Sequence, residues 1–366
     1  MNRLLELRDQ GQAVWLDYIR RDLLTAGRLA ALVRDDGVTG VTSNPAIFNE
    51  AIGESSLYDA ALEEILASEP DSSIVDLYEE LAVRDIRRAA DVLAPVFETT
   101  SGADGFVSLE VSPHLARDTA GTVAEARRLW QRVDRPNLMI KVPATAEGIP
   151  ALEELLASGI HVNVTLMFSL AHYEAVAQAY LRGVGRAAEP GRVASVASFF
   201  VSRVDSKVDP LLAADGSEAA LALAGKIGIA NSKLAYARYR EIFEGDAFAP
   251  LAARGARPQR VLWASTSTKN PTYRDVLYVE ELIGPNTVNT VPPETLEAFR
   301  DHGESRPSLT EDVAAARGAV AALADLGLDL AALTEELQRE GVEKFVQPFD
   351  ALLATLAAKR DALRVA

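Results

Sequence analysis

The feature that most constrains the fold of this chain is the regular recurrence of short apolar segments. Their apolar character is continuous rather than alternating, which is typical of strands that are covered on both faces in a parallel sheet. Eight such segments, rich in valine, isoleucine and leucine, lie at residues 13–19, 38–44, 105–111, 138–143, 160–166, 193–202, 260–266 and 286–292.

Helical periodicity separates these segments, for example over residues 119–133, 147–158 and 171–186. Alternation of strands and helices with eight strands predicts an α/β protein that folds as a closed (β/α)8 barrel, the TIM barrel. A doubly wound sheet with helices on both faces is the alternative that the same alternation permits.

Three further helical stretches exceed what a minimal barrel needs. They follow strand 2, follow strand 6 and form the C-terminus, at about residues 55–97, 207–248 and 308–362. No linker rich in proline, glycine or serine sets them apart, so we expect them to pack on the barrel within one domain over residues 1–366. Ser308 followed by Glu311 resembles a capping box that opens the last stretch.

Composition narrows the classes of function. The 366-residue chain has a formal net charge of −16, which disfavours nucleic acids and anionic membranes as partners. It contains no cysteine, and its four histidines lack the spacing of metal ligands, so no metal or other cofactor is predicted. The opening MNRLLELRDQGQ lacks the apolar core of a signal peptide, and no apolar run reaches membrane-spanning length. We therefore expect a cytoplasmic location.

Polar residues lie at the ends of the predicted strands, where barrel enzymes carry their chemistry. They are Asp17, Thr42, Ser43, Asn44, Glu110, Lys141, Asn163, Thr165, Ser198, Arg203, Ser265, Ser267 and Lys269. Each also has a structural explanation. Asn44 is typical of a turn before proline, and Asn163 and Thr165 could fill the barrel interior. Arg203 and Lys269 could be solvated loop charges.

Lys141 is the most informative of these residues. It lies within the run NLMIKVPATAEG (137–148), where a lysine is expensive to bury. A buried amine disfavours its charged form, and a neutral amine attacks a ketone or aldehyde to form a Schiff base. Bond cleavage next to that imine needs carboxylates that move protons, and Asp17 and Glu110 suit that task. The structural alternative is a lysine that reaches the barrel rim or pairs with Glu110.

Several stretches together resemble a known family. They are GVTSNPAIF (40–48), VSLEVSPHLARDT (107–119), NLMIKVPAT (137–145), HVNVTLMFS (161–169), SFFVSRVD (198–205), ASTSTKNPTYRD (264–275) and NTVNTVPPETL (286–296). They span most of the predicted barrel and resemble transaldolases, class I Schiff-base enzymes of the pentose phosphate pathway. The length and the extra helices resemble the longer bacterial type.

The resemblance implies catalytic roles for four residues. Lys141 matches the Schiff-base lysine, and Asp17 matches the carboxylate that moves the proton of the substrate's C4 hydroxyl. Glu110 and Thr165 match the pair that holds the water used to form and hydrolyse the imine.

The resemblance also implies substrate-binding residues. Asn44 and Asn163 match asparagines that bind hydroxyls of the three-carbon fragment, and Ser198 and Arg203 match a sugar-phosphate clamp. An arginine can grip phosphate bidentately.

Two positions need separate comment. Some relatives have a second phosphate-binding arginine after strand seven, where this chain has none, and we take Lys269 with Ser265 and Ser267 as its substitutes. Phe200 occupies a position that tends to be tyrosine in related fructose-6-phosphate aldolases. Because phenylalanine cannot protonate the bound enamine, it favours transfer over release.

The implied activity is transfer of a dihydroxyacetone unit between sedoheptulose 7-phosphate or fructose 6-phosphate and erythrose 4-phosphate or glyceraldehyde 3-phosphate. The expected partners are small sugar phosphates, with no nucleic acid and no membrane, and a homo-oligomer is compatible with the sequence. Three alternatives remain open: an enzyme like fructose-6-phosphate aldolase, a pyridoxal-phosphate enzyme on a barrel, and a non-catalytic sugar-phosphate-binding protein.

Overall fold

Eight parallel strands close into a barrel in a computed structural model that describes residues 2–365. Neighbours along the chain are neighbours in the sheet, and β8 pairs with β1 to close it. The predicted (β/α)8 barrel is therefore confirmed, and each strand overlaps its predicted segment. The strands are β1 Gln12–Asp17, β2 Val38–Thr42, β3 Phe106–Glu110, β4 Leu138–Pro143, β5 Val162–Met167, β6 Ser195–Phe200, β7 Arg260–Ala264 and β8 Thr287–Val291.

Seventeen α-helices accompany the strands within the described residues. They are α1 Arg3–Asp9, α2 Arg21–Thr25, α3 Arg28–Asp36, α4 Pro45–Phe48, α5 Asp59–Ser68, α6 Ile74–Thr99, α7 Thr119–Val133, α8 Gly148–Ala157, α9 Leu170–Arg186, α10 Ser202–Asp215, α11 Glu218–Leu221, α12 Ile227–Phe243, α13 Ala249–Ala252, α14 Leu277–Glu280, α15 Pro293–His302, α16 Val313–Asp325 and α17 Leu330–Val365. The predicted helices between strands 3 and 6 correspond to α7, α8 and α9. None of the helices within residues 2–365 is long and apolar enough to cross a membrane.

Side-chain caps determine where several helices begin. The Asp118 side chain accepts a hydrogen bond from the Gly121 N–H at the start of α7, and Ser169 accepts one from the His172 N–H at the start of α9. Ser73 opens α6 with a capping box. These side chains satisfy N–H groups that have no partner within the first helical turn.

The predicted capping box of Ser308 is wrong. The helix it was expected to open, α16, begins at Val313, and Ser308 lies in a separate 3₁₀ turn. Its hydroxyl accepts a hydrogen bond from the Ile283 N–H and donates one to the Glu280 carbonyl. Ser308 therefore fastens the C-terminal segment to the connection between β7 and β8 instead of starting a helix.

Alternation along the strands divides the barrel interior into layers. One layer is apolar and contains Trp15, Phe106, Met139, Val196, Leu262 and Val288. Trp15 leaves no room on β2, since a Cβ at Gly40 would lie 2.4 Å from its ring. Successive inward positions on a strand are two residues apart, so the next layer lies two residues closer to the C-terminal ends. That layer is largely polar. It contains Asp17, Ser108, Lys141, Ser198, Ala264 and Thr290.

The long helix α17 crosses the C-terminal end of the barrel. Gln338 Nε2 donates to the carbonyls of Ala144 and Leu166, at 2.9 and 3.1 Å, next to the ends of β4 and β5. Polar pairs hold the rest of the helix, namely His172–Glu335, Lys207–Glu336, Lys207–Glu340, His114–Asp350 and Lys359–Asp59. Phe345, in the middle of α17, is 6% exposed and faces the barrel interior. The C-terminal helix therefore covers part of the barrel mouth.

Candidate active site

A cavity of about 550 Å³ opens at the C-terminal end of the barrel. Ten of the predicted site residues line it: Asp17, Asn44, Lys141, Thr165, Ser198, Phe200, Arg203, Ser265, Ser267 and Lys269. Glu110 and Asn163 lie behind the cavity wall instead. Residues from seven of the eight strands or the loops after them, all but β3, thus converge on one cavity, as the ends of parallel barrel strands require.

Lys141 is 5% exposed and lies in the wall of this cavity. Its Nζ donates to the Ser43 carbonyl at 3.1 Å and lies 3.5 Å from Glu110 Oε2. The ring of Phe345 covers the amine at 5.5 Å from the ring centroid. Strand register produces this pairing, because Lys141 lies opposite Glu110 on β3 and opposite Asn163 on β5.

Glu110 is a buried carboxylate with a proton affinity suited to neutral pH. Burial raises the pKa of Glu110 to about 7, while the nearby charge of Lys141 opposes the rise. At 3.5 Å the contact with Lys141 is an ion pair rather than a short hydrogen bond, and Glu110 Oε2 has no hydrogen-bond partner among the described residues. Such a group can both hold and release a proton near pH 7.

The raised pKa of Glu110 predicts a pH-dependent stability. A buried acid with a raised pKa binds its proton more tightly in the folded state, so its contribution is complete below about pH 4.5 and is lost as pH rises through about 7. We expect the free energy of unfolding of the wild type to fall between pH 5 and pH 8 by about 1–3 kcal/mol more than that of Glu110→Gln. Urea unfolding at both pH values measures the difference. The exposed Glu63→Gln should follow the wild type, and equal changes in all three proteins would refute the assignment.

Asp17 ends β1, two strands away from Glu110 at the end of β3. Its Oδ1 accepts a hydrogen bond from Thr42 Oγ1 at 2.6 Å, and Thr42 Oγ1 lies 2.6 Å from Thr290 Oγ1. Three adjacent strands, β8, β1 and β2, therefore fix the carboxylate. Burial raises the pKa of Asp17, and Lys141, the Thr42 hydrogen bond and Arg203 oppose that shift.

Asn163 is a hydrogen-bonded core residue. It is 0% exposed, its Nδ2 donates to Ser108 Oγ at 3.0 Å, and its Oδ1 accepts from Ser198 Oγ at 2.6 Å. Asn163 therefore fills the barrel interior, as the structural explanation expects. Its bond with Ser198 orients that serine at the cavity wall. Thr165 differs, because its buried Oγ1 has no hydrogen-bond partner among the described residues. That hydroxyl is available to a ligand or a water molecule.

Arg203 is the main cation at the far side of the cavity. Its Cζ lies 5.1 Å from the Phe200 ring centroid, and its buried Nη1 has no hydrogen-bond partner within residues 2–365. Burial lowers the pKa of Arg203, while Asp17 and Glu340 oppose the shift. A guanidinium group that is desolvated and incompletely bonded is suited to receive an anion.

The segment after β7 adds polar groups next to Arg203. Lys269 Nζ donates to Ser267 Oγ at 2.8 Å, and the Ser265 hydroxyl lies 2.9 Å from the Ser202 hydroxyl. Ser265 has a φ of 56°, the left-handed region, which turns the chain sharply at the end of the strand. Asn44, on the other rim, caps α4 by accepting the Ile47 N–H at 3.0 Å. The turn explanation for Asn44 thus coexists with its place in the cavity wall.

The chain is similar to proteins of one family along nearly its whole length. The model of that family, transaldolase/fructose-6-phosphate aldolase, matches residues 14–356.

The chain belongs to the transaldolase/fructose-6-phosphate aldolase family.

Individual relatives agree with this assignment. A transaldolase of Thiobacillus denitrificans is 51% identical over 360 residues, covering 97% of this chain and 100% of the relative. A transaldolase of Thermobifida fusca is 50% identical, covering 97% of each chain, and a protein named transaldolase 2 of a Nostoc species is 46% identical, covering 98% of each.

Some residues around this cavity were not predicted from the sequence. Phe345 covers Lys141 from a helix about two hundred residues further along the chain, and nothing in its local sequence indicates that contact. Ser202 joins the ends of β6 and β7 through Ser265, although it stands next to the predicted Arg203. Thr290 completes the Asp17 hydrogen-bond chain. The polar layer in the barrel would have indicated Thr290, because its strand position is equivalent to that of Asp17.

Within residues 2–365, no group of three or more histidine, cysteine, aspartate or glutamate side chains could hold a metal ion.

Proposed function

We propose that the chain is a transaldolase that moves a dihydroxyacetone unit between sugar phosphates through an imine on Lys141. The donors would be sedoheptulose 7-phosphate or fructose 6-phosphate, and the acceptors erythrose 4-phosphate or glyceraldehyde 3-phosphate, in the non-oxidative pentose phosphate pathway. The observation that carries the proposal is the amine of Lys141, which is buried in a cavity wall next to Glu110 and shares that cavity with Asp17 and Arg203. The transaldolase relatives support the same reaction.

Imine formation uses Lys141 and Glu110. The amine attacks the C2 carbonyl of the ketose, and the resulting carbinolamine loses its oxygen as water. Glu110, whose pKa is about 7, donates the proton that this oxygen needs in order to leave and later accepts one from the hydrolytic water. The unpartnered hydroxyl of Thr165 holds that water beside the imine carbon.

Cleavage uses Asp17. The protonated imine draws in the electron pair of the C3–C4 bond while Asp17 removes the proton of the C4 hydroxyl. An aldose phosphate leaves, and a three-carbon enamine stays on Lys141. An acceptor aldehyde then forms the new carbon–carbon bond and takes the proton back from Asp17 at its oxygen. Water adds to the imine, and Lys141 is released. The hydrogen bond from Thr42 keeps the Asp17 carboxylate in one orientation through both steps.

Phosphate binding uses the far side of the cavity. Arg203 approaches the phosphate with a partly free guanidinium group, and Lys269 and Ser265 approach from the segment after β7. Ser198 and Asn44 contribute hydroxyl and amide groups to the rest of the sugar, and Asn163 acts through Ser198. We retain the sequence-based expectations of a cytoplasmic protein and of one domain over residues 1–366 as part of this proposal.

A transfer assay tests the proposal directly. The protein should convert fructose 6-phosphate and erythrose 4-phosphate to sedoheptulose 7-phosphate and glyceraldehyde 3-phosphate in equal amounts. Mass spectrometry measures both products. Free dihydroxyacetone as the main product would instead indicate an aldolase. Binding of fructose 6-phosphate without any product would indicate a non-catalytic sugar-phosphate-binding protein.

Phe200 provides a test of transfer against release. It is the last residue of β6, lies in the cavity wall and has no proton to give to the enamine. We expect Phe200→Tyr to raise release of dihydroxyacetone from fructose 6-phosphate without acceptor at least about tenfold, because a tyrosine hydroxyl can protonate the enamine carbon. A coupled assay for free dihydroxyacetone measures the rate, with transfer to erythrose 4-phosphate as the control for an intact site. An unchanged release rate in a variant that still transfers would show that Phe200 does not decide the outcome.

A further inference from the structure

The phosphate side of the cavity is built from two separate pieces of chain. Arg203 lies in the first turn of α10, whereas Ser267 and Lys269 belong to the segment 265–276 between β7 and α14. The pieces meet at the cavity floor, where the Ser202 N–H donates to the Ser265 carbonyl at 3.0 Å. Arg203 and Lys269 can hold one phosphate together only if their separation is fixed, because charge-assisted hydrogen bonds depend closely on distance.

Two aspartates of α10 hold this segment and the helix α14 that follows it. Asp205 Oδ2 accepts a hydrogen bond from the Tyr278 hydroxyl, and Asp209 Oδ2 accepts one from the Tyr273 hydroxyl, both at 2.8 Å. Asp205 and Asp209 are four residues apart and so lie on one helix face, one turn from each other. None of these four side chains lines the cavity. The polypeptide that carries Lys269 is therefore fastened to the helix that carries Arg203 from outside the substrate space.

Backbone N–H groups near the start of α12 also bind the same aspartates. Asp205 Oδ1 accepts the Gly228 N–H at 2.7 Å, and Asp209 Oδ1 accepts the Gly225 N–H at 3.0 Å, where the chain turns into α12. Gly225 has a φ of 69°, and a Cβ there would lie 2.8 Å from Tyr273 Cζ, so the tyrosine ring packs directly on the backbone. Each carboxylate is thus a two-sided bridge, and its position does not depend on the tyrosine alone.

We propose that Tyr273 and Tyr278, held by Asp209 and Asp205, are positioning residues that fix the distance between Lys269 and Arg203 and thereby determine the preference of the cavity for phosphorylated sugars. The inference rests on the proposed function, and it concerns the phosphate group only. Lys141, Glu110 and Asp17 lie on β4, β3 and β1, and none of the hydrogen bonds described joins them to these tyrosines. Loss of the tyrosine hydroxyls should therefore loosen phosphate binding and leave the imine chemistry intact.

The test compares phosphorylated and unphosphorylated donors in the double variant Tyr273→Phe/Tyr278→Phe. We expect KM for fructose 6-phosphate to rise about tenfold with kcat within about twofold of the wild type. The effect is moderate because each aspartate loses its hydrogen bond from a tyrosine but keeps the one from a glycine N–H. The kcat/KM for unphosphorylated fructose should not change, so the preference for the phosphorylated sugar should fall about tenfold. Equal losses on both donors would overturn the inference, because they would indicate general damage to the site.

A matched control separates this role from the loss of any buried hydroxyl. Tyr180 is buried like Tyr278, but its hydroxyl donates to the Arg257 carbonyl before β7, away from the cavity. Tyr180→Phe should therefore leave the donor preference unchanged. Should the double variant fold poorly by circular dichroism, Tyr273→Phe alone replaces it, because Tyr273 is only half-buried and its loss should reduce the preference about threefold.

Binding of inorganic phosphate provides a readout that needs no turnover. The rise of Tm with phosphate concentration gives a dissociation constant for the folded protein. That constant should be about tenfold weaker in the double variant and unchanged in Tyr180→Phe. An unchanged constant in the double variant would overturn the inference. A weakened constant in a protein without transfer activity would instead contradict the proposed function and leave the positioning role standing.

Discussion

Lys141→Met is expected to abolish transfer of the three-carbon unit, with a loss of at least about 10⁴-fold in kcat for fructose 6-phosphate and erythrose 4-phosphate. Methionine keeps most of the side-chain volume beneath Phe345 but removes the only amine that contacts Glu110 within residues 2–365. The neutral side chain also relieves Glu110 of its ion pair, and the raised pKa of Glu110 lets the carboxyl take up a proton instead. The variant should therefore fold.

Lys233→Met is the matched control for this variant. Lys233 is also buried, but its Nζ contacts the Glu311 carbonyl at 3.2 Å and Glu281 at 3.8 Å, outside the cavity. This variant should keep kcat within about twofold of the wild type even where its stability falls. The kcat of both variants is measured by sedoheptulose 7-phosphate formation. Activity of Lys141→Met within a factor of about a hundred of the wild type would show that another group carries the chemistry.

Asp17→Asn is expected to reduce kcat by about 10²–10⁴-fold, the range over which a positioned general base contributes. Asparagine preserves the hydrogen bond from Thr42 but cannot take the proton of the C4 hydroxyl. Imine formation depends on Lys141 and Glu110, so it should continue. The variant should therefore accumulate an imine that still contains the whole hexose, and reduction followed by mass spectrometry should find that larger adduct on Lys141.

The control for this variant is Asp36→Asn. Asp36 is also buried, but it pairs with Arg300 at 2.9 Å and binds Asn2, far from the barrel mouth. Its kcat should match that of the wild type, and its adduct should be the three-carbon one. Rapid formation of the three-carbon adduct in Asp17→Asn would contradict the role assigned to this carboxylate.

The barrel was predictable because its signals are local and repeated. Strand β4 begins and ends at the predicted residues, since a continuous apolar run with proline at its end has few other interpretations. Lys141 was singled out for a physical reason, namely that an amine inside such a run requires a partner or a function. The structure gives it a partner in Glu110, and its catalytic role stays a prediction. Strand order then brought Glu110 opposite Lys141, because neighbouring parallel strands align their C-terminal ends.

Other features depend on tertiary contacts, which local sequence patterns do not predict. Ser308 carries a capping sequence, yet hydrogen bonds to Glu280 and Ile283 outcompete the local motif, and the helix begins further on. An apolar face on α17 predicts packing but not the surface it packs on, so the contact of Phe345 with Lys141 had no sequence signal. Asn163 was predicted to bind substrate hydroxyls, but its side chain lies behind the cavity wall, where Ser108 and Ser198 use its amide group.

Borohydride trapping tests the central claim most directly. The protein is incubated with fructose 6-phosphate without acceptor, reduced, digested and analysed by mass spectrometry. We expect a dihydroxyacetone-derived adduct on the peptide that contains Lys141, which would establish the imine, the cleaved bond and the retained fragment together. An adduct on another lysine, or no adduct on the folded protein, would contradict the proposal that Lys141 forms the imine.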